Sequence, residues 1–260
     1  MKQRIVLAFS GGPASAAAIP WLAARHDAEV IAMTLDLGQS SGLEDVRHRA
    51  LSAGAARAHV LDVRDEFARG YLLPALRAGT TDGSLPMAAP LVRALVAKKL
   101  LEVAAIEGAR SVAHGCTVSD ADDVTFEARV HALDPDIAVI GPAWLDPASE
   151  AAPRAGANLW GRWTTGQPSY TLTKPPASAP DSPARVDISF DHGIPVAVNG
   201  VTMDVVELIE SLTTIAGQHG VGRLEYAEAP ASVVLYTAYR ELGSKPGGDV
   251  HLELFKGQLR

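Results

Sequence analysis

Over the first 140 residues, apolar runs of strand length alternate with longer stretches whose apolar positions recur at helical spacing. Residues 4–9 form a short apolar run (Ile5, Val6, Leu7, Ala8, Phe9) broken by Ser10-Gly11-Gly12-Pro13, and an alanine-rich stretch over 15–25 predicts a helix. Residues 29–36, with Val30, Ile31, Met33 and Leu35, read as a second strand. Residues 43–53 are amphipathic and end at Gly54, a natural helix stop. Residues 58–62 read as a third strand, 90–107 as a long helix stopped by Gly108, 110–114 as a fourth strand and 137–140 as a fifth. Strands separated by helices predict an α/β fold with a doubly wound parallel sheet, whose ligands bind beyond the carboxyl ends of the strands. Residues 10–15, 34–39 and 115–123 all fall at such ends and are expected to converge on one crevice.

The pattern changes after Gly141. Residues 142–183 are rich in Pro, Ala, Ser and Gly and read as a linker or extended arm around 158–162. Residues 185–190 alternate like a strand, Asp191-His192-Gly193 is a turn, and 194–198 is the partner strand of a hairpin. Residues 204–219 place Val205, Leu208, Ile209, Leu212 and Ile215 on one helical face, stopped at Gly220, and 231–242 and 250–255 predict a further helix and strand. The expected organisation is a nucleotide-binding domain over 1–141, the linker or arm over 142–183, and a smaller α+β domain over 184–260.

Composition narrows the class. Hydrophobic residues make up 47% of the 260 and charged residues 20%, the balance of a globular chain with material for a full core. A net charge of −7 argues against non-specific binding to nucleic acid or to an anionic membrane surface. Cys116 stands alone, so no internal disulfide forms and a reducing compartment fits. The first apolar run is too short for a signal peptide, and no stretch nears the ~20 apolar residues of a membrane span. The expected location is the cytoplasm.

The candidate chemistry sits in Ser10-Gly11-Gly12-Pro13-Ala14-Ser15, between a strand and a helix. Glycines let backbone N–H groups approach a phosphate, and a helix N-terminus favours negative charge. On these residues alone an ordinary strand–helix turn is an equal reading. The loop resembles the PP-loop of ATP pyrophosphatases, Ser-Gly-Gly-x-Asp-Ser, with Ala14 at the Asp position. Asp120, Asp122 and Asp123 suit Mg²⁺, but a solvated acidic turn with Ser119 or Asp120 capping a helix is the favoured reading. His114 and Cys116 read as a buried polar contact rather than a metal site or nucleophile, and Lys98 and Lys99 as helix surface or as basic residues near enough to the loop to meet phosphate.

Seven segments in order resemble argininosuccinate synthase. They are Ala8-Phe9-Ser10-Gly11-Gly12, Asp36-Leu37-Gly38-Gln39, Ala97-Lys98-Lys99-Leu100, Ala113-His114-Gly115-Cys116-Thr117, Asn158-Leu159-Trp160-Gly161-Arg162, the stretch 193–200 and the stretch 215–223. The resemblance implies an ATP pyrophosphatase domain of the adenine nucleotide alpha hydrolase-like fold, followed by a synthetase domain that helps build a tetramer. It implies an AMP-forming carbon–nitrogen ligase: ATP adenylates the ureido oxygen of citrulline, pyrophosphate leaves, and the amine of aspartate displaces AMP.

Carried over residue by residue, the resemblance assigns ATP to Ala8, Ser10, Gly11, Gly12, Ser15, Thr34 and Gly115, and the amine donor to Thr117 and Asp122. Mg²⁺ is implied with the nucleotide. The departures are Ala14 and Ala16 in the loop, Ala121 beside the donor site, and Leu85, Pro90, Thr125 and Trp163 at polar positions of the citrulline site. The segment carrying a family Glu after Gly222-Arg223 is deleted, and Tyr226 stands near the family's late Tyr. Unpaired buried polar atoms discriminate strongly, so this pocket is expected to exclude citrulline. Two readings stay open: an active ligase with a changed small-molecule acceptor, or a catalytically inactive relative that binds a nucleotide or a partner protein. The C-terminal elements that build the family tetramer are short here, which leaves a smaller homo-oligomer or a monomer.

Overall fold

A computed structural model of the chain describes residues 2–39, 42–78, 88–115, 122–141, 157–163, 170–225 and 227–260, with side chains left out at 88–90 and 122–125. In chain order the first part runs β1 (Gln3–Ala8), α1 (Pro13–His26), β2 (Ala28–Asp36), α2 (Leu43–Ser52) and β3 (Arg57–Asp62). Next come α3 (Arg64–Phe67), a π-helical turn (Ala68–Leu72) and α4 (Leu73–Arg77), then α5 (Ala88–Glu107), β4 (Ser111–Ala113), α6 (Asp122–Leu133) and β5 (Ala138–Ile140). The described residues form two compact units, one drawn from 2–36, 42–63 and 90–141, the other from 37–39, 64–78 and the residues from 157 onward.

The first unit carries a five-stranded sheet in the order β3-β2-β1-β4-β5, parallel throughout. This is the doubly wound arrangement that the spacing predicts, and its winding reverses between β1 and β4. Strand β1 is the centre: Ile5, Val6 and Leu7 are fully buried, as a strand covered on both faces must be. Ile5, Leu7 and Phe9 pack with Ala18, Ile19 and Leu22 of α1 and with Val30 and Ala32 of β2. Helix α1 starts two residues earlier than its apolar pattern suggests, because Pro13 fits the first turn, where its missing N–H costs nothing.

Residues 64–77 are helical, although no helix is legible there. Pro74 and Gly70 read as breakers, but Pro74 lies in the first turn of α4 and Gly70 inside the π turn. Phe67, Leu72, Leu73 and Leu76 are buried along this stretch.

The second unit holds two antiparallel sheets. The strands are β6 (Ala157–Asn158), β7 (Gly161–Trp163), β8 (Ala184–Asp191), β9 (Ile194–Val198) and β10 (Val201–Thr202); after α7 (Val205–Gln218) come β11 (Ala227–Glu228), α8 (Pro230–Leu242), β12 (Gly248–Phe255) and β13 (Gln258–Leu259). One sheet is ordered β10-β9-β8-β12-β13 and packs against α7 and α8. The predicted hairpin is present: His192 and Gly193 join β8 to β9, both with positive φ, as a tight turn of this hand requires. The Tyr239 hydroxyl donates to the Gly193 carbonyl at 2.8 Å, and burial raises its proton affinity well above that of a free phenol. Asp204 caps α7 by accepting from the Glu207 N–H at 2.9 Å.

The other sheet, β11-β7-β6, hangs on one carboxylate. Glu228 is completely buried and accepts N–H bonds from Thr171 (2.8 Å), Leu172 (2.8 Å) and Thr173 (2.7 Å) and the Thr173 hydroxyl (2.8 Å), with Arg162 at 3.5 Å. Burial pushes its pKa up, but these donors more than offset that and hold it below the usual glutamate value. Arg223 braces the same segment, donating to the Thr173 carbonyl at 3.0 Å with its guanidinium 3.5 Å from the centre of the Tyr170 ring.

Glu228→Ala strands those donors and an arginine, so it is expected to lower unfolding stability by roughly 3–5 kcal/mol, read from urea midpoints. Because the folded pKa lies below the unfolded one, the carboxylate's contribution is full above the unfolded value near 4.5 and fades as pH falls through the folded value. The stability gap between the native protein and Glu228→Gln should therefore be widest at neutral pH and close in acid; a gap that widens below pH 4.5 would refute this account.

Candidate functional site

The chain leaves the buried centre of the sheet at Ala8, and Phe9 extends the ladder with an N–H bond to the Met33 carbonyl at 2.8 Å. Gly11 follows with φ of +78°, and Gly12 is the N-cap of α1 with no side-chain hydrogen bond to that end. Helical bonding begins with the Ala16 N–H on the Gly12 carbonyl at 3.0 Å. The N–H groups of Gly12, Ala14 and Ser15 stay outside the helical ladder, and the first turn has no acid. The hydroxyls brace the loop internally: Ser10 donates to Ser15 at 3.2 Å, and Ser15, itself buried, donates to the Gly12 carbonyl at 2.9 Å.

The two glycines answer to different constraints. A Cβ on Gly11 would stand 2.8 and 3.0 Å from the Val46 methyls of α2, so the fold itself requires glycine there. A Cβ on Gly12 would meet only the Ser10 hydroxyl at 3.6 Å, and its φ of −76° suits any residue. Among the described residues nothing demands glycine at Gly12.

Thr34 is buried at the end of β2, and its hydroxyl donates to the Phe9 carbonyl at 2.9 Å. It stiffens the strand end that launches the loop. Gly115 is exposed just past β4, the neighbour of β1, where His114 N–H continues the ladder to the Ile140 carbonyl at 3.2 Å. Ala8, Ser10, Gly11, Gly12, Ser15, Thr34 and Gly115 therefore lie at the carboxyl ends of three adjacent strands, on both sides of the reversal. Asp122 opens α6, described in its backbone alone. Thr117, Cys116 and Ser119 to Ala121 lie outside the described residues, as do Leu85 and Tyr226.

The segment 34–39 divides. Past Asp36, Gln39 accepts the Leu37 N–H at 2.7 Å, and Leu37 accepts the Leu159 N–H at 2.7 Å. Gly38, with φ of +90°, lies so close to Leu159 that a Cβ would stand 2.8 Å from its side chain. This part belongs with Asn158-Leu159-Trp160 in the second unit. Trp163 ends β7, half-buried, directly opposite Ala227 of β11, and so faces a small partner. After Gly222 the Leu224 N–H donates to the Ala227 carbonyl at 2.9 Å, and Arg223 forms an antiparallel β-bridge with Glu228.

Three further candidates make contacts within the first unit. His114 is buried, its ring 4.7 Å from Phe126 and its Nε2 3.9 Å from Glu127, a polar contact in the core. Lys98 and Lys99 both pair with Glu102 on their own helix, at 3.8 and 2.8 Å. Among the described residues no three His, Cys, Asp or Glu side chains gather as for a metal ion, and no helix is long and apolar enough to cross a membrane. Sequence reasoning passed over Val46 and Arg49 of α2, which reach the loop only through helix packing, and Glu228, which sits in an Ala-Glu-Ala-Pro string without a motif.

Two family models match in tandem: the arginosuccinate synthase N-terminal HUP domain over residues 4–152 and the arginosuccinate synthase C-terminal domain over 158–245. The chain belongs to the argininosuccinate synthase family. Among curated relatives, argininosuccinate synthase of Streptococcus suis is 38% identical over 93% of this chain and 71% of its own length. That of Listeria monocytogenes is 39% identical over 93% and 70%. These alignments run over 285 positions, more than the 260 residues here, so the synthases carry stretches with no counterpart in this chain. An NH3-dependent NAD synthetase from Campylobacter jejuni covers 45% of this chain and 48% of its own at 18% identity and a TM-score of 0.34, too distant to bear on the site.

The two loop glycines give a paired test. Gly11→Ala forces a methyl into Val46 at positive φ and should cost roughly 1–3 kcal/mol of stability. Gly12→Ala should stay within about 0.5 kcal/mol of the native protein, as an open surface position does. Equal melting temperatures for the two variants would contradict these contacts.

Proposed function

We propose that this member of the argininosuccinate synthase family binds ATP at the loop from Ser10 to Ser15 and acts as an AMP-forming carbon–nitrogen ligase. It joins an aspartate-type amine to an adenylated small-molecule acceptor other than citrulline. The observation that carries the reading is the uncapped start of α1 beside the open Gly12, at the point where the sheet reverses its winding. Backbone donors left outside the helical ladder at such a crevice suit the phosphates of a nucleotide.

In this reading the acceptor oxygen attacks the α-phosphorus and pyrophosphate departs with the bonding pair. The amine nitrogen then forms the new C–N bond as AMP leaves with the oxygen. Ser10, Gly11, Gly12 and Ser15 form the phosphate loop, Ala8, Thr34 and Gly115 border the nucleoside, and Thr117 and Asp122 hold the amine donor. The changed acceptor follows from Leu85, Pro90, Ala121, Thr125 and Trp163 standing at polar positions of the family's sites. The less polar Leu85, Pro90 and Trp163 suit a flatter, more apolar acceptor.

The residues of the loop do not themselves make a Mg²⁺ site: Ala14 and Ala16 offer no oxygen, and the first turn of α1 has no acid. Any ion there would come with the phosphates, and no step is assigned to it. Ala14 is exposed, so its methyl serves no packing purpose, and the missing acid favours a second reading in which nucleotide binds without turnover.

Calorimetry with ATP, with and without Mg²⁺ and aspartate, tests the proposal. ATP binding that aspartate strengthens, and that Gly12→Ala weakens at unchanged melting temperature, is the expected result. No binding at millimolar ATP would overturn it. Ala14→Asp should raise pyrophosphate release; tight ATP binding with no release in either form would favour the second reading.

A further inference from the structure

The loop itself has no cation. Between Ala8 and Ala16 there is no lysine or arginine, yet the β- and γ-phosphates of a nucleotide carry most of its charge. A guanidinium reaches it from α2. A Cβ on Gly11 would stand 3.2 Å from an Arg49 terminal nitrogen, so the arginine lies directly against the loop. It reaches that position because side chains on a helix tilt toward its N-terminus, carrying Arg49 up one turn past Val46.

What Arg49 does not do is equally informative. Asp45 is one turn earlier on the same helix, the favourable spacing for an acid preceding a base. Elsewhere on α2 such pairs form: Glu44 takes both Arg47 at 3.4 Å and His48 at 3.5 Å. Arg49 makes no ion pair with Asp45, and among the described residues its guanidinium has no hydrogen-bond or ion-pair partner. An exposed arginine that passes over an acid on its own helix and lies on a phosphate loop has its planar set of donors available for phosphate oxygens.

We propose that Arg49 is the cation of the nucleotide site, binding the pyrophosphate portion of ATP and favouring its departure. The proposal rests on the loop's being the nucleotide site. It also explains Gly11 further: glycine there lets the guanidinium lie flush with the loop backbone.

The test is calorimetry of ATP, inorganic pyrophosphate and adenosine with the native chain, Arg49→Gln, Arg49→Lys and Arg47→Gln. Loss of charge-assisted bonds should weaken ATP and pyrophosphate binding about tenfold in Arg49→Gln, with partial recovery in Arg49→Lys. Adenosine binding should not change, and Arg47→Gln should match the native chain. Undiminished ATP and pyrophosphate binding by Arg49→Gln would overturn the role of Arg49 while leaving the nucleotide site intact. A parallel loss of adenosine would mean a distorted loop, and an equal loss in Arg47→Gln a diffuse charge effect; either overturns it. A native chain that binds neither ATP nor pyrophosphate would remove the nucleotide reading and this inference together.

Discussion

Strand β1 sets the terms for the first unit, because it is the one strand whose neighbours run on from it in opposite directions. Its middle residues, Ile5, Val6 and Leu7, are inaccessible to water, and its register is locked on one side by β2 and on the other by β4. A strand so placed cannot shift by a residue without turning its apolar set to the wrong face. The position of Ser10 to Ser15 is therefore as fixed as the core, and the loop needs only local devices to hold its shape. Thr34 on the Phe9 carbonyl and Ser15 on the Gly12 carbonyl supply them. Rigid support with open backbone donors is the arrangement that electrostatic stabilisation of a departing phosphate calls for.

The second unit solves a different problem. Its smaller sheet has strands of two and three residues, too short to be held by ladder bonds alone. Glu228 replaces the missing ladder with a buried carboxylate that gathers three consecutive backbone N–H groups, a hydroxyl and an arginine. The cluster fixes Arg162, and with it the neighbouring Trp163. A carboxylate-held backbone of this kind stays in place when a neighbouring side chain such as Trp163 is exchanged.

Much of the fold was legible from periodicity because the parallel strands are continuous apolar runs with glycine stops after the helices. The strand bounds differ by one or two residues, as ends set by hydrogen bonds rather than by burial do. Residues 64–77 were not legible, since Pro74 and Gly70 are local breakers overruled by burial of Phe67, Leu72, Leu73 and Leu76. At the site, the loop was readable because seven family-like segments surround it in order; its glycines alone fit an ordinary strand–helix turn equally well. That Gly11 serves packing while Gly12 lies open could not be read, because it depends on where Val46 falls in space. Arg49 and Glu228 were hidden for the same reason: their partners are distant in sequence and supplied by tertiary packing.

The central claim is that this scaffold splits ATP between its α- and β-phosphates on behalf of an amine and an acceptor. Supplying the native protein with ATP labelled at both the α and γ positions, aspartate and a panel of ureido, amide and carboxylate acceptors, and identifying the labelled products, tests it directly. AMP and pyrophosphate formed in equal amounts, dependent on an acceptor other than citrulline, is the result the account predicts. ADP and phosphate, or turnover with citrulline as the preferred acceptor, would contradict it.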